Sequence, residues 1–258
     1  MLKDEIEIRE RARRLNLGVE HVVRDVLQAR LIGAVFAASA GELVLKGGLA
    51  MRTSHRSARF TKDVDMQSGP QVSQARVSSI IRKALKQAME TGFLKQVSIT
   101  EPKQTETVQR WKVAGVVGSS HINMTVEVSR RGLPPPEDLV TTQVVDLAGQ
   151  SRPVYSYSAS AIAASKVVAL VAPNRLAARD LYDLDLLITM EVNPPIALLA
   201  RMGKDDIQEA LSNLWDKLDL LTWDHAVETL LEYLPRQEAA QLTESSWEER
   251  RLRTGETV

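Results

Sequence analysis

Two carboxylates separated by one residue, Asp63 and Asp65, follow a glycine pair, Gly47-Gly48, through a short basic stretch. Glu42-Leu43-Val44-Leu45-Lys46 is apolar enough to be a buried strand, and the two glycines break it. Paired glycines permit unusual φ angles and let backbone N–H groups approach phosphate oxygens. A helix starting at Leu49-Ala50-Met51 would add its free N–H groups and the positive end of its dipole. Arg59-Phe60-Thr61-Lys62-Asp63-Val64-Asp65 reads as entry into a strand, where residues i and i+2 share a face. Asp63 and Asp65 then point the same way and repel unless a cation lies between them. Mg²⁺ prefers such hard oxygen donors, with water and phosphate completing its shell. Arg52, His55, Arg56, Arg59 and Lys62 surround the pair with charge suited to a triphosphate. Either motif alone is ordinary: Gly-Gly is usually a turn and Asp-x-Asp a solvated loop or a helix cap. Their order and proximity point to a transferase acting on a nucleoside triphosphate (NTP).

A strand neighbouring the Asp pair has to supply any third metal ligand. In His121–Ser129, alternation puts His121, Asn123, Thr125 and Glu127 on one face, and Ile122, Met124, Val126 and Val128 on the other. Glu127 is therefore the candidate, with an ordinary solvated Glu as the alternative. Lys166 lies in an Ala-rich segment, Ala159–Leu170, with no other charge. Such a Lys either snorkels to water or meets an anion. Asp180 and Asp183, three apart in Arg179-Asp180-Leu181-Tyr182-Asp183, share a helix face. Either could take a proton from an attacking hydroxyl, and Arg179 with Asp183 could instead form a surface ion pair.

The elements that must position these residues follow from periodicity. Residues 1–40 read as helices with a break at Gly18, and Val72–Gly92 as an amphipathic helix. Phe93–Thr100, Thr107–Val113 and His121–Ser129 read as strands, with Gly115, Gly118, Ser119 and Ser120 turning the chain between the last two. Gly132 to Pro136 is an exposed loop, and Gln143–Leu147 and Val154–Tyr157 read as short edge strands. From Ser158 the pattern is helical. A helix capped by Ser158 or Ser160 runs to Val171, a second from Arg175 to about Met190, and a third starts at Pro194-Pro195. Helices near Asp205–Leu218, Asp224–Leu234 and Gln237–Leu252 follow. Trp215, Trp223 and Trp247 read as core of these helices, with a partner surface as the alternative. The expected division is residues 1–157, helical lead plus mixed α/β centre, and residues 158–258, a helical domain.

The 258 residues suffice for a large core, and 44% hydrophobic with 26% charged residues is a globular composition. There is no cysteine, which excludes disulfides, thiolate metal sites and a cysteine nucleophile, and suits a reducing cytoplasm. The charged N-terminus lacks an apolar signal core, and no stretch is apolar enough to span a bilayer, so no membrane association is expected. The 33 basic and 33 acidic residues balance, which does not by itself announce a nucleic-acid binder. The Arg-rich segment up to Lys62 could present a basic face to RNA or simply be solvated.

Taken in order, Leu45-Lys46-Gly47-Gly48, Arg59 to Asp65, Lys166, and Arg179-Asp180-Leu181-Tyr182-Asp183-Leu184 resemble the AbiEii/AbiGii toxin family. These are nucleotidyltransferase-fold proteins of bacterial toxin–antitoxin and phage-defence loci. The glycine pair and Asp-x-Asp are common to the wider superfamily, whereas the Lys and Arg-Asp-x-x-Asp elements are more specific. The resemblance covers about residues 40–190. It implies an α+β fold: a polymerase-β-like core of mixed sheet and helices, followed by a C-terminal helical region. It also implies NTP and Mg²⁺ use, Asp63 and Asp65 as metal ligands, Lys166 as a nucleotide contact, and Asp183 or Asp180 as a later catalytic acid. Lys46, Gly47, Gly48, Arg59 and Lys62 complete the expected nucleotide site. Some relatives add nucleotides to the 3′ end of tRNA, and an antitoxin encoded nearby is the expected regulator. One departure is Gly48: many superfamily members have Gly-Ser here, so this chain offers no hydroxyl at that position.

Overall fold

The computed structural model describes residues 3–145, 151–192 and 211–258. The chain divides into two compact units, Met1–Tyr157 and Ser158–Val258. The first is built on a mixed seven-stranded sheet in the order β3-β4-β5-β2-β1-β7-β6. Its strands are β1 (Leu43–Lys46), β2 (Asp63–Ser68), β3 (Lys95–Gln104), β4 (Val108–Val117), β5 (Ser120–Ser129), β6 (Leu139–Val145) and β7 (Ser151–Tyr157). Its helices are α1 (Lys3–Leu15), α2 (Val19–Ser39), α3 (Gly47–Ser54) and α4 (Gln74–Met89).

Alternation makes the central strands two-faced. In β2, Val64, Met66 and Ser68 are buried while Asp63, Asp65 and Gln67 stay half-buried. In β5, Ile122, Met124, Val126 and Val128 are core. Trp111 of β4 is completely buried on the same apolar side. α2 and α4 pack on each other, and α2 also on β5 and β7. Ser73 caps α4 by accepting the Arg76 N–H, and Val77, Ile80, Ile81, Ala84, Leu85 and Ala88 form the buried stripe of that helix. The polar residues of β2 and β5 are thereby left on the opposite face.

Three sequence expectations change here. Gly115 lies inside β4, paired with Ile122, and not in the turn. A Cβ on it would come within 2.8 Å of Leu94 Cδ1, so glycine serves close packing at this point. The turn is Gly118-Ser119, with Gly118 at φ +59°. Of the two strands expected at the edge, only β6 is one. β7 lies inside the sheet, antiparallel to β6 and parallel to β1.

The second unit is helical. α5 (Ala159–Leu170) is capped by Ser158, which accepts from Ala161 N–H, and it packs on α6 (Ala178–Thr189). α6 starts three residues later than Arg175. Then come α7 (Leu214–Leu220), α8 (Trp223–Thr229), α9 (Arg236–Gln241) and α10 (Glu244–Thr257). The single helix expected over Gln237–Leu252 is divided, because Thr243 starts a new helix with a capping box shared with Ser246. The segment Asp224–Leu234 is helical to Thr229 and ends in a 3₁₀ turn. The expected helix at Pro194-Pro195, the first part of the one at Asp205, and Leu147 lie outside the described residues. Trp247 is core, and its Nε1 donates to the Leu221 carbonyl at 2.7 Å. Trp215, expected in the core, is 46% exposed; its ring lies against Gly255. No helix among the described residues is long and apolar enough to cross a membrane.

Candidate active site

β1 runs into α3 through the glycine pair. Gly47 sits at φ +68°, and a Cβ built on it would lie 2.6 Å from Asp65 Oδ2. Glycine is required there twice over, by the backbone conformation and by the carboxylate beside it. A Cβ on Gly48 would lie 2.8 Å from Arg59 Nη2 and 3.1 Å from Thr61 Oγ1. The residue preceding α3, Lys46, makes no side-chain cap, so among the described residues no N-cap side chain satisfies the first N–H groups of this helix.

The strand register assembles the charges. Lys46 of β1 pairs with Asp65 of β2, Asp65 pairs with Glu127 of β5, and Glu127 pairs with Arg110 of β4. Directly paired residues share a sheet face. The result is one row, Arg110–Glu127–Asp65–Lys46, with two cations outside two carboxylates. Asp63 stands on the same face beside Thr125. Arg110 donates from Nε and Nη2 to Glu127 Oε2 at 2.8 and 2.5 Å. Lys46 Nζ donates to Gln67 Oε1 at 3.0 Å. Burial pushes the Lys46 ammonium below its ordinary pKa, Asp65 and Glu127 pull it back up, and Arg131 adds to the depression.

The loop between α3 and β2 is pinned at both ends of its basic stretch. Gln28 of α2 donates to the Thr61 carbonyl at 3.1 Å. Asp25 of α2 holds Arg52 of α3 at 2.5 Å, and Arg52 in turn donates to the Ala58 carbonyl at 2.9 Å. The Arg52 guanidinium lies 3.7 Å from the centre of the Phe60 ring. His55 Nε2 donates to the Tyr157 carbonyl at 2.9 Å. Of the two cations expected to meet phosphate from this loop, Lys62 is exposed, whereas Arg59 is buried and donates to the Phe60 carbonyl at 3.1 Å. Arg59, Lys62 and Asp65 each have a further polar interaction within the chain.

In the second unit, Lys166 of α5 is buried and donates to Asp180 Oδ1 at 2.8 Å and to Asp183 Oδ2 at 2.6 Å. The anion that a buried lysine requires is thus supplied by α6. Arg175 also grips Asp180, at 2.6 Å. Burial by itself would raise the Asp180 pKa; Lys166 and Arg175 outweigh it and hold this carboxyl at about 2. Asp185, one turn on, is fully buried between Arg250 and Arg253 of α10. That clamp ties α6 to the last helix.

Sequence reasoning missed Arg110, Gln67, Gln28 and Asp185. Arg110 was within reach. A two-residue hairpin turn at Gly118-Ser119 fixes Arg110 opposite Glu127 by counting back along both strands. Nothing local pairs Gln28 with Thr61 or Asp185 with Arg250.

A family model described as the nucleotidyl transferase AbiEii toxin of a type IV toxin–antitoxin system matches residues 30–253. The chain belongs to the AbiEii family. It is therefore a nucleotidyltransferase by family, and a toxin of that system by the same description. No curated protein matches it. Among solved structures it is similar to the crystal structure of JHP933 from Helicobacter pylori, at 20% identity and TM-score 0.59, covering 93% of this chain and 91% of that one. It is also similar to an H. pylori protein provisionally described as a nucleotidyltransferase, at 20% identity and TM-score 0.56, covering 90% and 92%. At that identity the likeness concerns the fold: an α+β nucleotidyltransferase core followed by C-terminal helices.

For an AbiEii protein the question is whether these residues suit a divalent cation. Among the described residues, no group of three or more His, Asp or Glu side chains is gathered closely enough to hold a metal ion by itself. Asp63 and Asp65 nevertheless form a hard-oxygen pair on one face, and the missing Cβ of Gly47 leaves space against Asp65 Oδ2. That donor set fits Mg²⁺, whose remaining positions water and phosphate commonly fill. Glu127 is adjacent, with one oxygen already committed to Arg110.

Proposed function

We propose that this AbiEii protein transfers a nucleoside monophosphate from an NTP to the 3′ end of an RNA, tRNA being the expected acceptor, and does so with Mg²⁺. The single observation that carries the reading is the row Arg110–Glu127–Asp65–Lys46, with Asp63 on the same face, at the uncapped N-terminus of α3. It joins a carboxylate pair for a cation to a helix end for a phosphate.

In this reading the acceptor 3′-oxygen forms a bond to the α-phosphorus, the bond from that phosphorus to the leaving oxygen breaks, and pyrophosphate departs. Asp63 and Asp65, with Glu127 beside them, would hold Mg²⁺, which when bound neutralises charge on the attacking and leaving oxygens. Gly47 and Gly48 offer backbone donors to phosphate, and Lys46, Arg59 and Lys62 add positive potential. The family resemblance adds Lys166 as a nucleotide contact and Asp183 as the acidic residue that takes the hydroxyl proton. A cytoplasmic toxin with a neighbouring antitoxin and a part in phage defence is the biological setting this activity fits.

The test is incubation of the full chain with Mg²⁺, each α-labelled NTP in turn and total bacterial tRNA, beside Asp65→Ala. Label in tRNA with the wild type alone is the expected result. Label on protein or a small molecule would move the acceptor and keep the chemistry. Equal labelling by Asp65→Ala would remove Asp65 from the site.

A further inference from the structure

Gly48 stands where many relatives of this superfamily carry a serine, yet the space a side chain at this position would start from is already crowded. Thr61 Oγ1 lies 3.1 Å from the point a Cβ on Gly48 would take, and Arg59 Nη2 lies 2.8 Å from it. A serine at position 48 would have to displace the Arg59 guanidinium. Arg59 is only 2% exposed, packed in the loop that leads to the Asp pair.

Thr61 has the attributes of a ligand-facing hydroxyl. It is only 7% exposed, so its position is fixed by packing. Its carbonyl is held by Gln28, itself 1% exposed, from the middle of α2. No hydrogen bond of its hydroxyl is found among the described residues. Nor is that hydroxyl among the fully enclosed polar atoms without partners, as Gln28 Oε1 and Ser68 Oγ are, so it reaches open space. A nearly buried hydroxyl without an internal partner requires a ligand or water. The feature beside it is the first turn of α3, to which the N-cap residue Lys46 gives no side-chain cap. A phosphate oxygen meets both requirements at once, taking the helix N–H groups and the hydroxyl proton together.

We infer that Thr61 donates its hydroxyl to a phosphate of the bound nucleotide beside Gly48, in place of the serine that position lacks, with Gln28 as the residue that positions it. The inference rests on the nucleotide site proposed above. It adds a phosphate contact supplied from the strand side of the loop, where the Gly-Ser pattern supplies it from the helix. Because the contact is to phosphate, it is indifferent to the base.

The experiment is calorimetric titration of the full-length protein with Mg²⁺-tripolyphosphate and with each NTP plus Mg²⁺, using the wild type, Thr61→Val and Thr61→Ser. Thr61→Val keeps the shape and removes the hydroxyl, and Thr61→Ser keeps the hydroxyl. Loss of a hydrogen bond to a charged acceptor predicts about tenfold weaker binding of both probes by Thr61→Val, with Thr61→Ser within about threefold of wild type. If the valine variant does not fold, Thr61→Ala takes its place, with the same tenfold deficit against Thr61→Ser. Wild-type affinity in Thr61→Val would overturn the inference, as would an equal loss in Thr61→Ser, which would mark packing as the cause. A loss for NTP without one for tripolyphosphate would transfer the contact from phosphate to nucleoside. A wild type that binds no NTP at all would sink the nucleotide site itself, a different failure from one seen only in the Thr61 series.

Discussion

Asp65 and Glu127 stand directly opposite each other on the parallel strands β2 and β5. Neighbouring carboxylates on one sheet face repel, and this pair is flanked by a cation on each side, Lys46 next to Asp65 and Arg110 next to Glu127. The two flanks differ. Arg110 binds one Glu127 oxygen through two N–H groups, whereas the Lys46 ammonium donates to Gln67 and touches Asp65 only through the field.

That difference makes the part played by Glu127 measurable. Glu127→Gln keeps an acceptor for Arg110 and removes the negative charge next to Asp65. If Glu127 helps to hold the cation, the Mg²⁺ concentration for half-maximal transfer rises, by about tenfold for the loss of one charged donor worth about 1.4 kcal/mol. An unchanged Mg²⁺ requirement would assign Glu127 to Arg110 alone.

The glycine pair supports a second prediction. Gly47→Ala places a Cβ at φ +68° and 2.6 Å from Asp65 Oδ2. A left-handed conformation costs a residue with a Cβ about 1–2 kcal/mol, and the overlap with the carboxylate adds to it. Urea denaturation should show at least that loss, accompanied by a fall in transfer. Wild-type stability in Gly47→Ala would mean that the turn can relax and the carboxylate can move.

Lys166 lies between two carboxylates in a buried cluster. Its replacement by Met leaves both without their common cation, and breaking a buried pair costs about 3–5 kcal/mol. Lys166→Met should therefore unfold at a much lower urea concentration, whereas a Lys166→Arg variant keeps the charge. Loss of transfer in Lys166→Arg with wild-type stability would point to a direct role in the reaction. A Lys166→Met variant as stable as wild type would show that the cluster does not hold α5 to α6.

Asp180 gives the protein an acid-sensitive element. Its carboxyl is held at about 2 in the folded chain against an ordinary 3.8. A depressed carboxylate stabilises the folded state above its unfolded pKa, and that stabilisation is lost as pH falls through the folded value. The affected window runs from about pH 4 down to about pH 2. Melting temperature measured across it should fall more steeply for wild type than for Asp180→Asn. Parallel curves would mean that Asp180 is not held low.

How much of this was legible in the chain depends on how far each signal reaches. The glycine pair, the Asp pair and the polar face of β5 were legible, because a turn and a two-residue alternation are local properties of the backbone. So was a serine cap at Ser158 or Ser160, of which the chain uses Ser158, and the hairpin register that joins Arg110 to Glu127 was recoverable from its turn. Periodicity also overreached. It made β7 an edge strand and Trp215 a core residue, because exposure depends on what packs nearby and not on residue type.

The sequence by itself determined which groups are available and on which side of each element they lie. Tertiary structure alone decided that Asp65 meets Glu127, since α4, β3 and β4 lie between their strands in the chain and only the parallel pairing closes that distance. It alone decided that Lys166 takes Asp180 and Asp183 as its anions, that Asp185 is clamped by Arg250 and Arg253, and that Thr61 stands beside Gly48. The reason is common to all four. Alternation and helical period orient a side chain about its own backbone, whereas a partner far along the chain is set by how whole elements pack, and the packing that buries the most apolar surface carries the polar groups with it.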